Sequence, residues 1–183
     1  MSAATGAVNL RIEKARRADV PLILSFIKEL AEYERLSHEV AATEDILSES
    51  LFGERAMAEV RIAYDGELAV GFALFFHNFS TFMGRPGIYL EDLYVQPHAR
   101  GKGIGRALLS HLAGLARERG CGRLEWAVLD WNEPAIRFYK GLGAAAMDEW
   151  TIFRVTGDRL DALAGEAQAN ENERLALGAD WNP

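Results

Sequence analysis

Between Ala99 and Leu109 the chain reads ARGKGIGRALL, which sets Gly101, Gly103 and Gly105 among Arg100, Lys102 and Arg106, directly ahead of an apolar periodic segment. A glycine loop running from a strand into a helix exposes backbone N–H groups at the positive end of the helix dipole, and small residues let an anion approach them. The loop therefore suits a phosphate-bearing ligand, although three glycines would also serve a plain connector. The common nucleotide fingerprints do not fit: the G-x-G-x-x-G order is missing, and no Lys-Ser or Lys-Thr follows to make a P-loop. Three further stretches carry groups able to move protons or hold a cation. IYLEDLYV (Ile88–Val95) places Glu91 beside Asp92 in a strand, where alternate faces keep both out of one cleft unless a bulge intervenes. WNEPAIRFYK holds Asn132, a good helix N-cap, and Tyr139, whose phenol, with an ordinary pKa of about 10, can donate a proton or simply pack on the apolar stripe of its helix. In IKELAEYERL, Glu29 and Glu32 share a face at i,i+3, whereas Glu34, next to Tyr33, lies on another side.

These residues need elements to position them. NLRIEKA (Asn9–Ala15) alternates like a half-buried strand. Asp19 as N-cap and Pro21 in the first turn open a helix whose stripe is Ile23, Phe26, Ile27, Leu30 and Ala31, and Thr43 caps a second one running towards Leu51. AEVRIAYDGELAVGFALFF reads as two antiparallel strands joined at Asp65–Gly66, an Asp-Gly pair suited to a tight hairpin. A loop with Gly84, Pro86 and Gly87 leads to the Ile88–Val95 strand, ended by Pro97. From Arg106 the pattern Leu108, Leu109, Leu112, Ala113, Leu115, Ala116 gives a broad apolar helical face that Gly120 ends. Arg123–Leu129 is a strand, Asn132–Leu142 a short helix, Thr151–Val155 a last strand, and Asp158 to about Gln168 a terminal helix. The order predicts a mixed α/β sheet with helices packed on it and a right-handed parallel crossover through the Arg106–Arg119 helix.

Composition limits what such a fold can do. With 183 residues, 49% of them hydrophobic, one domain over residues 9–165 is expected, preceded by a disordered lead-in (1–8) and followed by a loosely held tail (166–183). The apolar runs are far shorter than the roughly 20 residues a membrane span needs, and the N-terminus does not read as a signal peptide. Cys121 is the only cysteine, so a reducing cytoplasmic setting is the default, and with no histidine in its local sequence it is a weak nucleophile. His38, His77, His98 and His111 lack paired ligand spacing, so no metal is expected. A formal charge of −7 argues against general nucleic-acid binding and is compatible with a cationic ligand.

Together, YLEDLYVQPHARGKGIGRALL and LDWNEPAIRFYKGLGA resemble the GNAT superfamily of acyl-CoA-dependent N-acetyltransferases, whose R/Q-x-x-G-x-G/A signature falls on Arg100, Gly103 and Gly105. With IKELAEYE added, the likeness points to the diamine (spermidine/spermine) branch, also associated with thialysine, and it runs from about Asn9 to Leu163. It implies the GNAT fold, a mostly antiparallel sheet flanked by helices with a splayed parallel pair at the CoA site. It implies acetyl-CoA as cosubstrate, a small primary amine as acceptor, direct attack in a ternary complex and a homodimer. On the resemblance, CoA is held by Leu93, Tyr94, Val95, Arg100, Gly101, Lys102, Gly103, Ile104, Gly105, Arg106, Asn132 and Lys140, with a backbone N–H near Leu93 facing the thioester oxygen. Tyr139 is then the general acid, and Tyr33, Glu34, Glu91 and Asp92 meet the amine. A proton acceptor is needed because an alkylamine has a pKa of about 10, and Glu91 is the candidate, directly or through water. HNFSTFMGRPG departs from the animal diamine enzymes in length, with Phe82 standing for the aromatic expected there, which leaves the amine open. An amino acid or antibiotic-like amine is the rival acceptor, and a CoA-binding regulatory module without turnover the rival class.

Overall fold

The computed structural model describes residues 9–176. Residues up to Leu142 and residues from Gly143 form two compact units. The first holds five strands in the order β1 (Leu10–Lys14), β2 (Glu59–Asp65), β3 (Leu68–Ser80), β4 (Arg85–Val95) and β5 (Leu124–Trp126). All neighbours are antiparallel except β4 and β5, which run parallel. The expected mixed sheet with one parallel pair is thus the observed one.

Helices cover both faces of this sheet. On one side α1 (Val20–Glu34) and α2 (Glu44–Phe52) bury Val20, Ile23, Phe26, Leu47 and Leu51 against Val60, Ile62, Phe72 and Tyr94. Thr43 caps α2 by accepting the Ile46 N–H at 3.3 Å, as its side chain suggests. On the other side α3 (Ile104–Glu118) packs Ile104, Leu108, Leu109, Leu112 and Ala116 on Ala63, Phe75, Ile88 and Leu90. The short helix α4 (Glu133–Lys140) adds Phe138 and Tyr139 to the same side. Because β2 is covered on both faces, Arg61 is buried within it, its guanidinium over the Phe75 ring, with Nε 3.2 Å from His111 Nε2 and Nη2 3.4 Å from Glu59. Glu59 also pairs with Arg119, which holds its carboxyl below the usual range.

Four expectations change. The stretch His77–Gly87 is no long loop: β3 runs to Ser80, β4 starts at Arg85, and Thr81–Gly84 alone connect them. Pro86 is tolerated because the parallel ladder to β5 begins only at Ile88, so none of its bonds calls for a Pro86 N–H, while the Pro86 carbonyl accepts the Gly122 N–H at 2.8 Å. The strand expected over Arg123–Leu129 stops at Trp126, opposite Leu90, because β4 bulges at the next residue and leaves its neighbour. Thr151–Val155 forms no strand: a strand exists by pairing, and this segment, with Ile152 and Phe153 exposed at 73% and 90%, joins no ladder among the described residues. In the second unit α5 (Asp158–Ala176) runs past Gln168, carried by Ala, Glu and Leu, all good helix formers. The lead-in (1–8) and residues 177–183 of the tail lie outside the described residues. No helix of the described residues is long and apolar enough to cross a membrane.

Candidate active site

The glycine loop links β4 to α3 as the sequence predicts. Gly101 and Gly103 take φ of 76° and 83°, in the left-handed region that side chains with a Cβ avoid, and Gly103 is the N-cap of α3. A Cβ built on either would meet no atom within 4 Å, so open space lies over the loop where the first amides of α3 have no helical acceptor. That space and those donors fit a pyrophosphate. Ile104 anchors the loop in the core, and Gly105 lies close to Phe138 and Val95. Arg106 is exposed on the first turn of α3, and Lys102 Nζ stands 3.6 Å from Asp65 Oδ2.

Arg100 turns the other way. Its Nε donates to the Val95 carbonyl at 2.8 Å, and its guanidinium lies 4.7 Å from the Tyr33 ring centre and 5.7 Å from that of Tyr94. Tyr94 is buried on the α1 side, its hydroxyl donating to Glu29 at 3.1 Å, with a pKa pushed up to about 12 by burial and by Glu29. Leu93 and Val95 instead pack towards the α3 side.

The strand pair opens beside this loop. Leu74 lies opposite Asp92 and Phe75 opposite Leu90, so Glu91 is the extra residue of a bulge. Pairing with β5 ends at Leu90, and from Glu91 to Val95 the edge of β4 away from β3 pairs with no strand among the described residues. Apart from the Val95 carbonyl, which Arg100 takes, that edge offers backbone donors and acceptors to an extended amide chain, the chemistry of a pantetheine arm.

Around this opening stand the acidic and phenolic groups. The two adjacent carboxylates differ in burial: Glu91 is exposed, whereas Asp92 is partly buried and its carboxyl is pushed up to about 7, first by desolvation, then by Glu91 and Glu34. Glu34, the last residue of α1, is itself raised by burial. Tyr139 packs its ring against Trp126, at the end of β5, with centres 5.1 Å apart. Burial, with Glu34 and Tyr33 nearby, pushes its phenol up to about 12, so it keeps its proton at neutral pH. The end of α1 thus sets Glu34 within electrostatic reach both of Asp92, beside the bulge of β4, and of Tyr139, near the end of α4.

Asn132 is buried and caps α4, its side-chain oxygen accepting the Ala135 N–H at 3.3 Å and the Tyr33 hydroxyl at 3.1 Å. Lys140 ends α4 exposed. One participant went unread in the sequence, and one residue singled out there has partners that it did not foretell. Trp131 lies 6.1 Å from the Tyr33 ring and carries Arg35 at 5.8 Å, its only sequence signal being an aromatic just ahead of a cap. Glu29 gathers Tyr94 and Gln96 across 65 and 67 residues, separations no local pattern reveals.

Residues 23–144 match the model of the acetyltransferase (GNAT) family. A thialysine N-epsilon-acetyltransferase of Mus musculus is 40% identical over 85% of this chain and 97% of its own length. An L-ornithine N5-acetyltransferase of Arabidopsis thaliana is 32% identical over 84% and 87%. Among solved structures, an integron cassette protein from the mobile metagenome of V. cholerae superposes with a TM-score of 0.72 at 31% identity, over 85% of this chain and 97% of the other. The motif residues, the opened parallel pair and these relatives agree: the chain belongs to the acetyltransferase (GNAT) family, in the branch of the diamine (spermidine/spermine) and thialysine acetyltransferases.

Proposed function

We propose that the protein is a cytoplasmic enzyme that moves the acetyl group of acetyl-CoA to a primary amine of a small diamine-like or amino-acid-like molecule, by direct attack in a ternary complex, and that it works as a homodimer. The observation that carries the reading is the neighbourhood of Glu34, Asp92 and Tyr139 beside the unpaired edge of β4. Acetyl-CoA supplies, when bound, an acetyl group activated as a thioester with a thiolate as leaving group.

The chain's own residues supply the rest. The amides at the start of α3, opened by Gly101 and Gly103, hold the pyrophosphate, with Lys102 and Arg106 adding positive potential. The edge of β4 from Leu93 to Val95 orients the pantetheine arm, and an N–H near Leu93 meets the thioester oxygen. Carboxylates of Glu34, Glu91 and Asp92 draw the ammonium in. Of the two adjacent carboxylates, Asp92 suits the proton acceptor better than Glu91, because a carboxyl near 7 is matched to accepting a proton at neutral pH. Tyr139 holds a proton on its hydroxyl for the departing sulfur. Holding both reactants together needs no covalent acetyl-enzyme. CoA release measured with acetyl-CoA and a panel of thialysine, ornithine, diamines and polyamines tests the reading, and no turnover with any primary amine would overturn it.

A further inference from the structure

Tyr33 touches three elements at once. It sits near the end of α1, its ring lies under the Arg100 guanidinium of the glycine loop at 4.7 Å and meets the Trp131 ring at a tilt of 49° with centres 6.1 Å apart, and its hydroxyl donates to Asn132 at 3.1 Å. The resemblance gives Tyr33 to the amine, yet its hydroxyl is engaged with the cap of α4. That cap oxygen, on a side chain only 6% exposed, also accepts the Ala135 N–H. Helix α4 has eight residues, too few to hold itself together, so contacts at its ends decide where it lies. At the far end Tyr139 packs on Trp126, and at the near end Tyr33 holds Asn132. Asn132 and Tyr139 stand seven positions apart along the helix, about 10 Å at 1.5 Å per residue, so a tilt at the cap moves the phenol.

We propose that Tyr33 is a positioning residue for the acyl transfer: through Asn132 it fixes the start of α4 and thereby the place of the Tyr139 hydroxyl, while its stack with Arg100 ties that placement to the cofactor loop. The inference rests on the acid role given to Tyr139 above. Tyr33→Phe keeps the stacking ring and removes only the donor.

The test combines steady-state kinetics of Tyr33→Phe, Tyr139→Phe and the double variant with amide hydrogen exchange of α4. Positioning predicts a kcat about ten-fold lower in Tyr33→Phe at unchanged amine KM, the scale on which small misplacements act. In the Tyr139→Phe background the same change should cost nothing more, because both act through one group. Exchange at Ala135 and Ile136 should quicken in Tyr33→Phe, with α3 unaffected. A raised amine KM at constant kcat would make Tyr33 a substrate-lining residue, and losses that multiply in the double variant would make it independent of Tyr139; either overturns the proposal. If Tyr139→Phe alone keeps wild-type kcat, the acid role falls instead, and unchanged exchange in Tyr33→Phe would then overturn the anchoring as well.

Discussion

In the proposed reaction Tyr139 and Asp92 would divide the proton chemistry, because burial raises both: the phenol keeps its proton and can donate it, while a carboxyl near 7 is partly ionised at neutral pH and can accept one. Tyr139→Phe should lower kcat by roughly 10²-fold, the usual weight of a general acid, with CoA affinity and melting temperature nearly unchanged. Kinetics beside a melting curve check this, since a ring that only packs on Trp126 would leave kcat intact. For Asp92 the expectation concerns pH. The acceptor must be ionised, so kcat/KM should rise through about pH 7, well below the amine's own limb, and Asp92→Asn should remove that limb. Stability carries the opposite sign. A carboxyl raised from its usual 3.8 to about 7 adds stability at low pH that is lost as pH rises through about 7. Asp92→Asn, neutral throughout, should therefore melt progressively higher than the wild type between pH 5 and about pH 8, where thermal scans at both ends would show the gap. A constant gap would mean that Asp92 titrates as an ordinary carboxylate.

The loop and the strand end are what bring these groups together, and each has a backbone reason. Gly103 holds φ at 83° where the chain enters α3, so Gly103→Val would cost about 1–2 kcal/mol in backbone strain and put a branched side chain into the space over the amides. Calorimetric titration should then show weaker CoA binding, and unaltered affinity would remove the pyrophosphate from this loop. The loop was legible in the sequence because glycine, charge and helix pattern coincide there. The capping by Thr43 and Asn132 was legible for a similar reason, as side-chain type and a following apolar stripe speak together. The bulge at Glu91 was not. Nothing in YLEDLYV marks an extra residue, because a bulge is set by how β3 pairs across the sheet. Arg61 was hidden too, since strand alternation treats an arginine as outward, whereas here Glu59, His111 and the Phe75 ring let it stay inside a strand covered on both faces. The segment Thr151–Val155 shows the converse error: alternation predicts a strand, but a ladder needs a partner.

For the whole molecule, the site is a product of layering. One core binds α1 and α2 to the sheet and another binds α3 and α4, and the groups proposed to react lie where β4, shared by both cores, parts from β5. The second compact unit has a different character. Trp150, Ile152 and Phe153 are exposed at 70%, 73% and 90%, with Val155 and Met147 also open to water, an apolar run that monomeric proteins seldom leave uncovered. Burying a single such side chain contributes about 1.5–3 kcal/mol, so a surface with several of them in sequence has much to gain from a partner. A second copy of the chain is the occupant always at hand, and a two-fold arrangement would cover two such runs at once. Light scattering across working concentrations should therefore give twice the 20.3 kDa chain mass. Phe153→Asp, which places a charge where burial is required, should shift the mass towards one chain without unfolding the sheet, whose strands all end before Gly143. A wild-type mass of one chain, or a Phe153→Asp variant that stays dimeric, would mean that this run does not join two copies.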